Sequence, residues 1–258
     1  SPAFDTEINI SGGTITEAIG GDGGAGIGGG ANSSQATTIN ITGGTITEAT
    51  GGSDYVDYVS SSERWYSGAG IGAGLNAGTT TINIKDNAHI VSATGGKYGG
   101  AGIGSGANSF GTTTVNITSG TVKAQGGDYG AGIGGGNNSR NTNITISGGT
   151  IEEAVGGSTG DGIGGGNSSS NITVTIQGGT IKKAQGGKGN FYAGHGIHSD
   201  STLNISGGTI ENAQGGKGNY YGGDGIRSDS TLNISGKAFI QNAKGGDGRY
   251  GGGNGIYS

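Results

Sequence analysis

Hydrophobic and polar residues alternate in short runs that return along the chain about every 30 residues. One run is Ile8-Asn9-Ile10, and a later counterpart is Leu203-Asn204-Ile205. An alternation of period two built on apolar, mostly β-branched residues predicts a strand with one buried face. The second apolar residue of the run marks eight copies: Ile10, Ile41, Ile84, Ile117, Ile146, Ile176, Ile205 and Ile234. A repeat of this length predicts a solenoid, so we expect function on a surface that recurs from copy to copy.

Two further apolar segments in each copy predict two more short strands. One follows an S-G-G or T-G-G turn and pairs an aliphatic residue with an alanine, as in Ile15 and Ala18. The other is centred on the isoleucine of G-A-G-I-G, first at Ile27. No segment has helical periodicity. These features predict an all-β fold, a right-handed single-stranded parallel β-helix of about eight rungs of roughly 30 residues. Glycines are expected where φ is positive or where neighbouring coils approach closely.

The repeat predicts one domain, residues 1–258, with an inserted loop at 53–67. Because neither end has an evident polar cap, we expect a fragment of a longer protein, with end-to-end stacking or continuation into further repeats. Like residues should stack in columns. The outward column of the first strand is predicted to be an amide and hydroxyl ladder of Asn9, Asn40, Asn83, Asn116, Thr145, Thr175, Asn204 and Asn233. Glu152 and Lys182, and likewise Glu153 and Lys183, are predicted to form register-setting surface pairs.

Composition excludes several classes of function. The chain has 67 glycines, one proline and no cysteine, so collagen, a disulfide framework and a cysteine metal site are excluded. A net charge of −5 without a Lys/Arg run argues against a nucleic-acid partner. No apolar stretch is long enough for membrane insertion, so we expect none. The G-A-G-I-G-G-G strings resemble phosphate loops but precede no helix, so no organic cofactor is expected. Low charge and absent thiols are typical of an extracellular bacterial protein.

Aromatic residues concentrate in the loop that follows the second strand. In a solenoid these loops stack above one another, which predicts a single aromatic edge. The rings could cover the glycine-rich corner, or they could form a platform for the faces of sugar rings. The candidate carbohydrate-binding residues are Tyr55, Tyr58, Trp65, Tyr66, Tyr98, Tyr129, Phe191, Tyr192, Tyr220, Tyr221 and Tyr250.

Acidic and amide residues replace small ones only in the later copies. The position two residues before the third-segment isoleucine is alanine in the first four copies, and then becomes Asp161, His195, Asp224 and Asn254. A column of oxygens at strand spacing could hold calcium, or it could be a hydrogen-bonded polar ladder in which Lys188, Lys217, Arg227 or His195 balances the charge. The candidate metal-binding residues are Asp161, Asp200, Asp224, Asp229 and Asn254.

The strings G-H-G-I-H-S-D-S-T-L-N-I-S-G-G-T-I and G-D-G-I-R-S-D-S-T-L-N-I-S-G resemble the clostridial-type carbohydrate-binding domain family, over about residues 194–258. The resemblance implies a right-handed parallel β-helix similar to polysaccharide lyases, bound calcium, and affinity for cellulose and acidic plant polysaccharides. It implies that Asp200, Asp224 and Asp229 are calcium ligands, and it implies this more weakly for Asp161. The upstream glycine-rich copies look like repeats of Gram-positive surface proteins and lack the family's acidic motif.

The sequence therefore favours a non-catalytic module that binds a polysaccharide or surface glycan and is secreted or attached to the cell wall. A structural adhesin stalk without a ligand of its own is the alternative. A polysaccharide lyase is a weaker alternative, since it would need a cation and a base such as Arg227 or Lys217, and no convergent cluster is evident. A further alternative is an ice-binding face built on the Thr and Asn columns, which Lys85 and Gln177 interrupt.

Overall fold

The structure is a computed structural model that describes residues 5–53, 55–59 and 62–258, with only the backbone described for 55–59 and 62–65. The chain winds through eight similar coils, each with a strand segment on three faces. We number the coils as rungs 1 to 8. They comprise residues 5–36, 37–79, 80–112, 113–139, 140–169, 170–201, 202–230 and 231–258. The described residues contain strands and turns but no helix. No described element is therefore a helix that could cross a membrane.

The first face carries one strand from each rung. These strands are β1 (Thr6–Ile15), β4 (Thr37–Ile46), β9 (Thr80–Ile84), β12 (Thr113–Ile117), β15 (Arg140–Ile146), β18 (Ser170–Ile176), β22 (Thr202–Ile205) and β26 (Thr231–Ile234).

The second face continues the same sheet. Its strands are β2 (Ala18–Ile19), β5 (Ala49–Thr50), β10 (His89–Thr94), β13 (Thr121–Gln125), β16 (Thr150–Val155), β19 (Thr180–Ile181), β20 (Ala184–Gln185), β23 (Thr209–Ile210), β24 (Ala213–Gln214), β27 (Phe239–Ile240) and β28 (Ala243–Lys244).

The third face is a separate sheet of eight short strands. They are β3 (Ile27–Gly28), β8 (Ile71–Gly72), β11 (Ile103–Gly104), β14 (Ile133–Gly134), β17 (Ile163–Gly164), β21 (Ile197–Ser199), β25 (Ile226–Ser228) and β29 (Ile256–Tyr257). The loop of rung 2 adds an antiparallel hairpin, β6 (Tyr55–Val59) and β7 (Ser62–Tyr66), within the insertion that the sequence predicts.

The strand pairings between rungs are parallel and place like residues over like. Ile8 pairs with Ile39 on the first face, Ala18 with Ala49 on the second and Ile27 with Ile71 on the third. These side chains form the interior, where most isoleucines of the middle rungs have no exposed surface. The predicted all-β parallel solenoid of about eight turns is confirmed.

The amide ladder and the surface charge pairs are also confirmed. Asn83 Nδ2 donates to Asn40 Oδ1 at 2.8 Å, and Asn116 Nδ2 donates to Asn83 Oδ1 at 2.9 Å. Each amide thereby satisfies its neighbour in the next rung. Lys182 lies 2.9 Å from Glu152. The Glu153 column contains Lys183 as predicted, and its other neighbour is Lys123 in the preceding rung.

Glycine is required where neighbouring rungs touch on the third face. Gly104 has φ of 143°, and a Cβ added there would lie 1.9 Å from the carbonyl oxygen of Gly134 in the next rung. The same column has glycine with φ between 132° and 150° in each of rungs 1 to 5. No side chain fits such a contact, so these rungs close tightly against one another.

Candidate functional site

The loops of rungs 1 to 4 fold over the third face and close it. In each case a backbone N–H at the corner of the next rung donates to a loop carbonyl. The bonds run from Leu75 to Gly23, Ala107 to Ser67, Asn137 to Gly99 and Asn167 to Tyr129, at 2.7–3.0 Å. The alanines beneath them, Ala69, Ala101 and Ala131, have no exposed surface. Within the described residues this series of bonds ends at Asn167, and the third face opens beyond it.

The opening is a groove over rungs 5 to 8. A cavity of about 560 Å³ lies between the corner of rung 5 at Gly166–Ser169 and the loop of rung 6 at Lys188–Ala193. A second cavity of about 340 Å³ continues toward rung 8. The two share Tyr192, Ala193 and His195, so they form one groove parallel to the solenoid axis. Three rung steps of ~4.8 Å make it about 14 Å long.

Aromatic rings stack in two columns beside the groove, and Phe191, Tyr192 and Tyr221 line it. Phe191 stacks on Tyr220 with ring centroids 4.9 Å apart, and Tyr192 stacks on Tyr221 at 5.3 Å. Tyr250 continues the first column at 5.2 Å from Tyr220. The loop backbones bond to each other as well, since the Tyr221 N–H donates to the Phe191 carbonyl. The interior rings of these columns therefore cover each other's faces.

The first ring of each column differs from those behind it. Phe191 and Tyr192 are 63% and 66% exposed, and both line the larger cavity. The preceding loop in rung 5 carries Ser158 and Thr159 and no aromatic residue. Among the described residues, no ring from the preceding loop stacks on Phe191 or Tyr192, and both rings line the cavity.

The predicted aromatic edge is divided by the structure. Phe191, Tyr192, Tyr220, Tyr221 and Tyr250 lie together, and Tyr129 borders the larger cavity from the loop of rung 4. Tyr98 lies outside both cavities, with the Lys97 ammonium 5.0 Å from its ring centre. Tyr66 is half-buried at the end of β7. The side chains of Tyr55, Tyr58 and Trp65 lie outside the described residues, so their predicted role stays a prediction.

Asp161 is a buried polar group of the groove floor, with 4% of its surface exposed. Its Oδ1 accepts the backbone N–H of His195 at 2.8 Å. Its Oδ2 accepts the Gly165 N–H at 2.9 Å and lies 2.8 Å from His198 Nδ1. Burial alone would raise the pKa of Asp161, but His198 and these bonds lower it below its usual range. Asp161 is therefore an anion held by three N–H donors.

His198 lies between two carboxylates. Its Nδ1 faces Asp161, and its Nε2 lies 3.4 Å from Asp229 Oδ2. Burial acts to lower the pKa of His198, but Asp161 and Asp229 outweigh it and raise that pKa to about 10. With an acceptor at each nitrogen, the ring is an imidazolium that donates on both sides. His198 is thus a fixed cation in the floor.

Arg227 repeats this role in the next rung, in register with His198. Its Nε donates to Asp229 Oδ1, and its Nη1 lies 3.3 Å from Asp224 Oδ2. Asp224 Oδ1 accepts the Asn254 N–H. Hydrogen bonds from His198 and Arg227 lower the pKa of Asp229. Negatively and positively charged side chains therefore alternate along the floor in the direction of the axis.

His195 occupies the column between Asp161 and Asp224 but is neutral. Its Nδ1 accepts the backbone N–H of Asp224 at 2.8 Å, which requires the ring proton to be on Nε2. Burial lowers the pKa of His195, consistent with the uncharged ring. The column residue of each of rungs 5 to 7 thus accepts a backbone N–H from the rung that follows.

The floor does not fit the calcium that the family resemblance implies. Calcium takes six to eight oxygen ligands. Both oxygens of Asp161 already accept N–H groups, and Asp200 Oδ1 accepts the Ile172 N–H at 2.6 Å. Asn254 is exposed and contributes its backbone N–H, which is a donor. The set is rich in N–H groups that would oppose a cation.

A transition metal at Asp161, His195 and His198 meets the same difficulty. One potential ligand atom from each residue lies within 4.8 Å of the others. However, His195 Nδ1 already accepts a hydrogen bond, and the His198 nitrogens both donate to carboxylates. A metal would have to displace those bonds, so the arrangement favours the hydrogen-bonded ladder that the sequence left as the alternative.

His198 was not among the candidate site residues from the sequence, and His195 was named only as a possible counter-charge, whereas its ring is neutral in the structure. Their signal is present in the sequence, because polar residues enter the columns before and after the same isoleucine in adjacent rungs. Sequence alone does not show which of them face each other, since Asp161 meets a histidine 37 residues further along the chain.

Comparison with known proteins identifies the repeat. A model of the β-helix repeat family matches residues 8–31, 39–75, 115–137, 144–167 and 174–201, which together make up slightly more than half of the chain. No curated protein and no solved structure matches it. The matched segments include Asp161, His195 and His198. The carbohydrate-binding subfamily suggested by the C-terminal copies stays a prediction.

Proposed function

Because this chain belongs to the β-helix repeat family, we propose that it is a non-catalytic polysaccharide-binding module whose binding surface is the groove of rungs 5 to 8. The observation that carries the proposal is the exposed rings of Phe191 and Tyr192 at the entrance of a polar-floored cavity. Sugar rings stack on aromatic faces while their hydroxyls bond to polar groups. A groove about 14 Å long suits an extended chain of two to three sugars.

The polar groups of the floor support binding rather than catalysis. A lyase needs a base that is free to take a proton from the substrate. His198 and Arg227 are engaged by carboxylates, and His195 Nδ1 accepts a backbone hydrogen bond. The candidate bases of the floor are thus held in a fixed protonation state by their neighbours, and Lys217 lines neither cavity. The proposal places the module in an extracellular or cell-surface protein, in keeping with its low charge and lack of cysteine.

The closed rungs support a second candidate function, that of a structural stalk. Rungs 1 to 4 cover their third face with loop hydrogen bonds, and the alanines beneath in rungs 2 to 4 have no exposed surface. A closed surface of this kind suits a rigid spacer that carries a binding region at a fixed distance. The two functions are compatible, because they belong to different rungs.

Affinity electrophoresis against soluble polysaccharides tests the proposal. Phe191→Ala and Tyr192→Ala should each weaken binding about 3- to 10-fold, because an aromatic contact contributes ~0.5–1.5 kcal/mol. Phe110→Ala is the matched control, since Phe110 is 58% exposed and lies outside the groove. If the two groove variants bind like wild type and only lose thermal stability, the rings are covers for the glycine corner and the proposal is wrong.

A further inference from the structure

The groove floor already contains the counter-charges that a bound metal would otherwise supply. Asp161, Asp224 and Asp229 have six carboxylate oxygens in total, and each oxygen faces an N–H donor. Stacked carboxylates repel unless a positive group lies between them. Here the His198 imidazolium and the Arg227 guanidinium occupy those places. The floor is complete without a cation.

The two cations of the floor, His198 and Arg227, are already paired with carboxylates and offer no free charge to an acidic ligand. His198 and Arg227 direct their N–H groups at the carboxylates, and Arg227 also lies 5.1 Å from the Tyr257 ring. Lys188 lines the larger cavity and is exposed. With Asp200 included, the groove contains four carboxylates, and its three cations are Lys188, His198 and Arg227. A uronate would approach a surface of its own sign.

Hydroxyl groups suit this floor better, because they both donate and accept. The cavity wall away from the charged ladder presents Asn167, Ser168 and Asn190, and His195 retains one ring N–H on Nε2. We infer that the groove takes a neutral, hydroxyl-bearing polysaccharide and binds it without a divalent cation, an inference that rests on the proposed function. It differs from the calcium and acidic glycans that the family resemblance implies.

The test is a binding panel measured in chelator and in calcium. The neutral arm contains hydroxyethyl cellulose, galactomannan, arabinoxylan and mixed-linkage β-glucan, and the acidic arm contains polygalacturonate and alginate. We expect binding to at least one neutral polymer in chelator, and calcium should not raise that affinity. The affinity for the acidic polymers should be lower by a factor on the order of ten or more. Binding to a neutral chain should also vary little with salt.

The outcomes separate this inference from the proposed function. Binding only to acidic polymers, or only with calcium, overturns the inference and leaves a polysaccharide-binding module. Binding to no polymer of either arm overturns the proposed function and the inference with it. A melting temperature of the wild type that falls in chelator and recovers with calcium would also overturn the inference, because it would show a metal bound to the folded chain.

Charge-neutralising variants sharpen the result. Arg227→Gln frees Asp224 and Asp229 from their shared donor and should make calcium stabilise the variant, whereas we expect no such stabilisation of the wild type. Lys244→Gln, in the outward column of the second face, removes the same charge away from the groove and is the control. If calcium raises the melting temperature of wild type and Arg227→Gln equally, Arg227 does not stand in for a cation.

Discussion

Rungs 1 to 4 and rungs 6 to 8 share one isoleucine interior but differ on the third face. In the first group, glycines such as Gly104 bring neighbouring rungs into backbone contact, and the loops close over them. In the second group His198 and Arg227 take the corresponding column, and the face opens into a groove. The same core therefore supports two surfaces, and the residues flanking one isoleucine decide which surface forms.

The junction lies in rung 5, which has features of both groups. Gly164 keeps the positive φ of the earlier rungs, at 150°, while Asp161 begins the polar column. A Cβ at Gly164 would lie 2.8 Å from Asp161 Oδ2. The glycine thus leaves room for the carboxylate, and the larger cavity forms where closed rungs meet open ones. A change of local packing, rather than a separate domain, creates the candidate site.

Gly104→Ala should have the largest effect on stability, because it disrupts the backbone contact between neighbouring closed rungs. The new Cβ would clash with the Gly134 carbonyl and force a side chain into positive φ, so we expect a loss of about 3–5 kcal/mol in the free energy of unfolding. Urea denaturation measures it. Gly30→Ala, where a Cβ meets nothing within 4 Å, should change stability by less than ~1 kcal/mol. Equal effects would show that close rung contact is not needed.

His198→Ala should have the next largest effect, because it breaks the charge ladder of the open rungs. It leaves the buried Asp161 carboxylate without its cation, which costs about 3 kcal/mol. His89→Ala, on the exposed side of β10, should stay within ~0.5 kcal/mol of wild type by the same denaturation assay. A small effect at His198 would mean that the backbone N–H groups alone hold Asp161.

The contribution of His198 should also depend on pH in a defined direction. Its pKa is raised from 6.5 to about 10 in the folded state, so folding favours the protonated ring. The stabilisation is fully present below pH 6.5 and is lost as pH rises toward 10. The difference in unfolding free energy between wild type and His198→Ala should shrink over that range. A difference that stays constant from pH 6 to pH 10 would contradict the assignment of His198 as a cation between Asp161 and Asp229.

Thr159→Asn should have the smallest effect, and it should be stabilising. Thr159 is a β-branched residue with φ of 61° at the junction, and its buried hydroxyl has no partner. Asparagine adopts this region more easily and already does so at Asn138 and Asn171, so we expect a gain of about 1 kcal/mol. Ser158→Asn is the neighbouring control. A loss of stability at Thr159 would indicate that the threonine packs favourably despite its backbone.

Much of the fold could be predicted from the sequence because a solenoid repeats its contacts. Ile10, Ile41 and Ile84 recur at a fixed place in each copy, and stacking one copy on the next places them in register. The Asn40 to Asn83 bond follows from the same register. The aromatic stack of Tyr192 on Tyr221 was predictable in the same way, because equivalent loops lie above one another.

The site itself depended on contacts between unlike residues. The sequence by itself determined the eight-rung parallel solenoid, the buried ladders and the columns in which acids and aromatics lie. Only the tertiary structure decided that His198 lies between Asp161 and Asp229, and that the loops close rungs 1 to 4 but not the rungs beyond. The reason is physical: periodicity fixes which residues share a column, whereas side-chain direction and loop closure depend on the shape of the neighbouring rung.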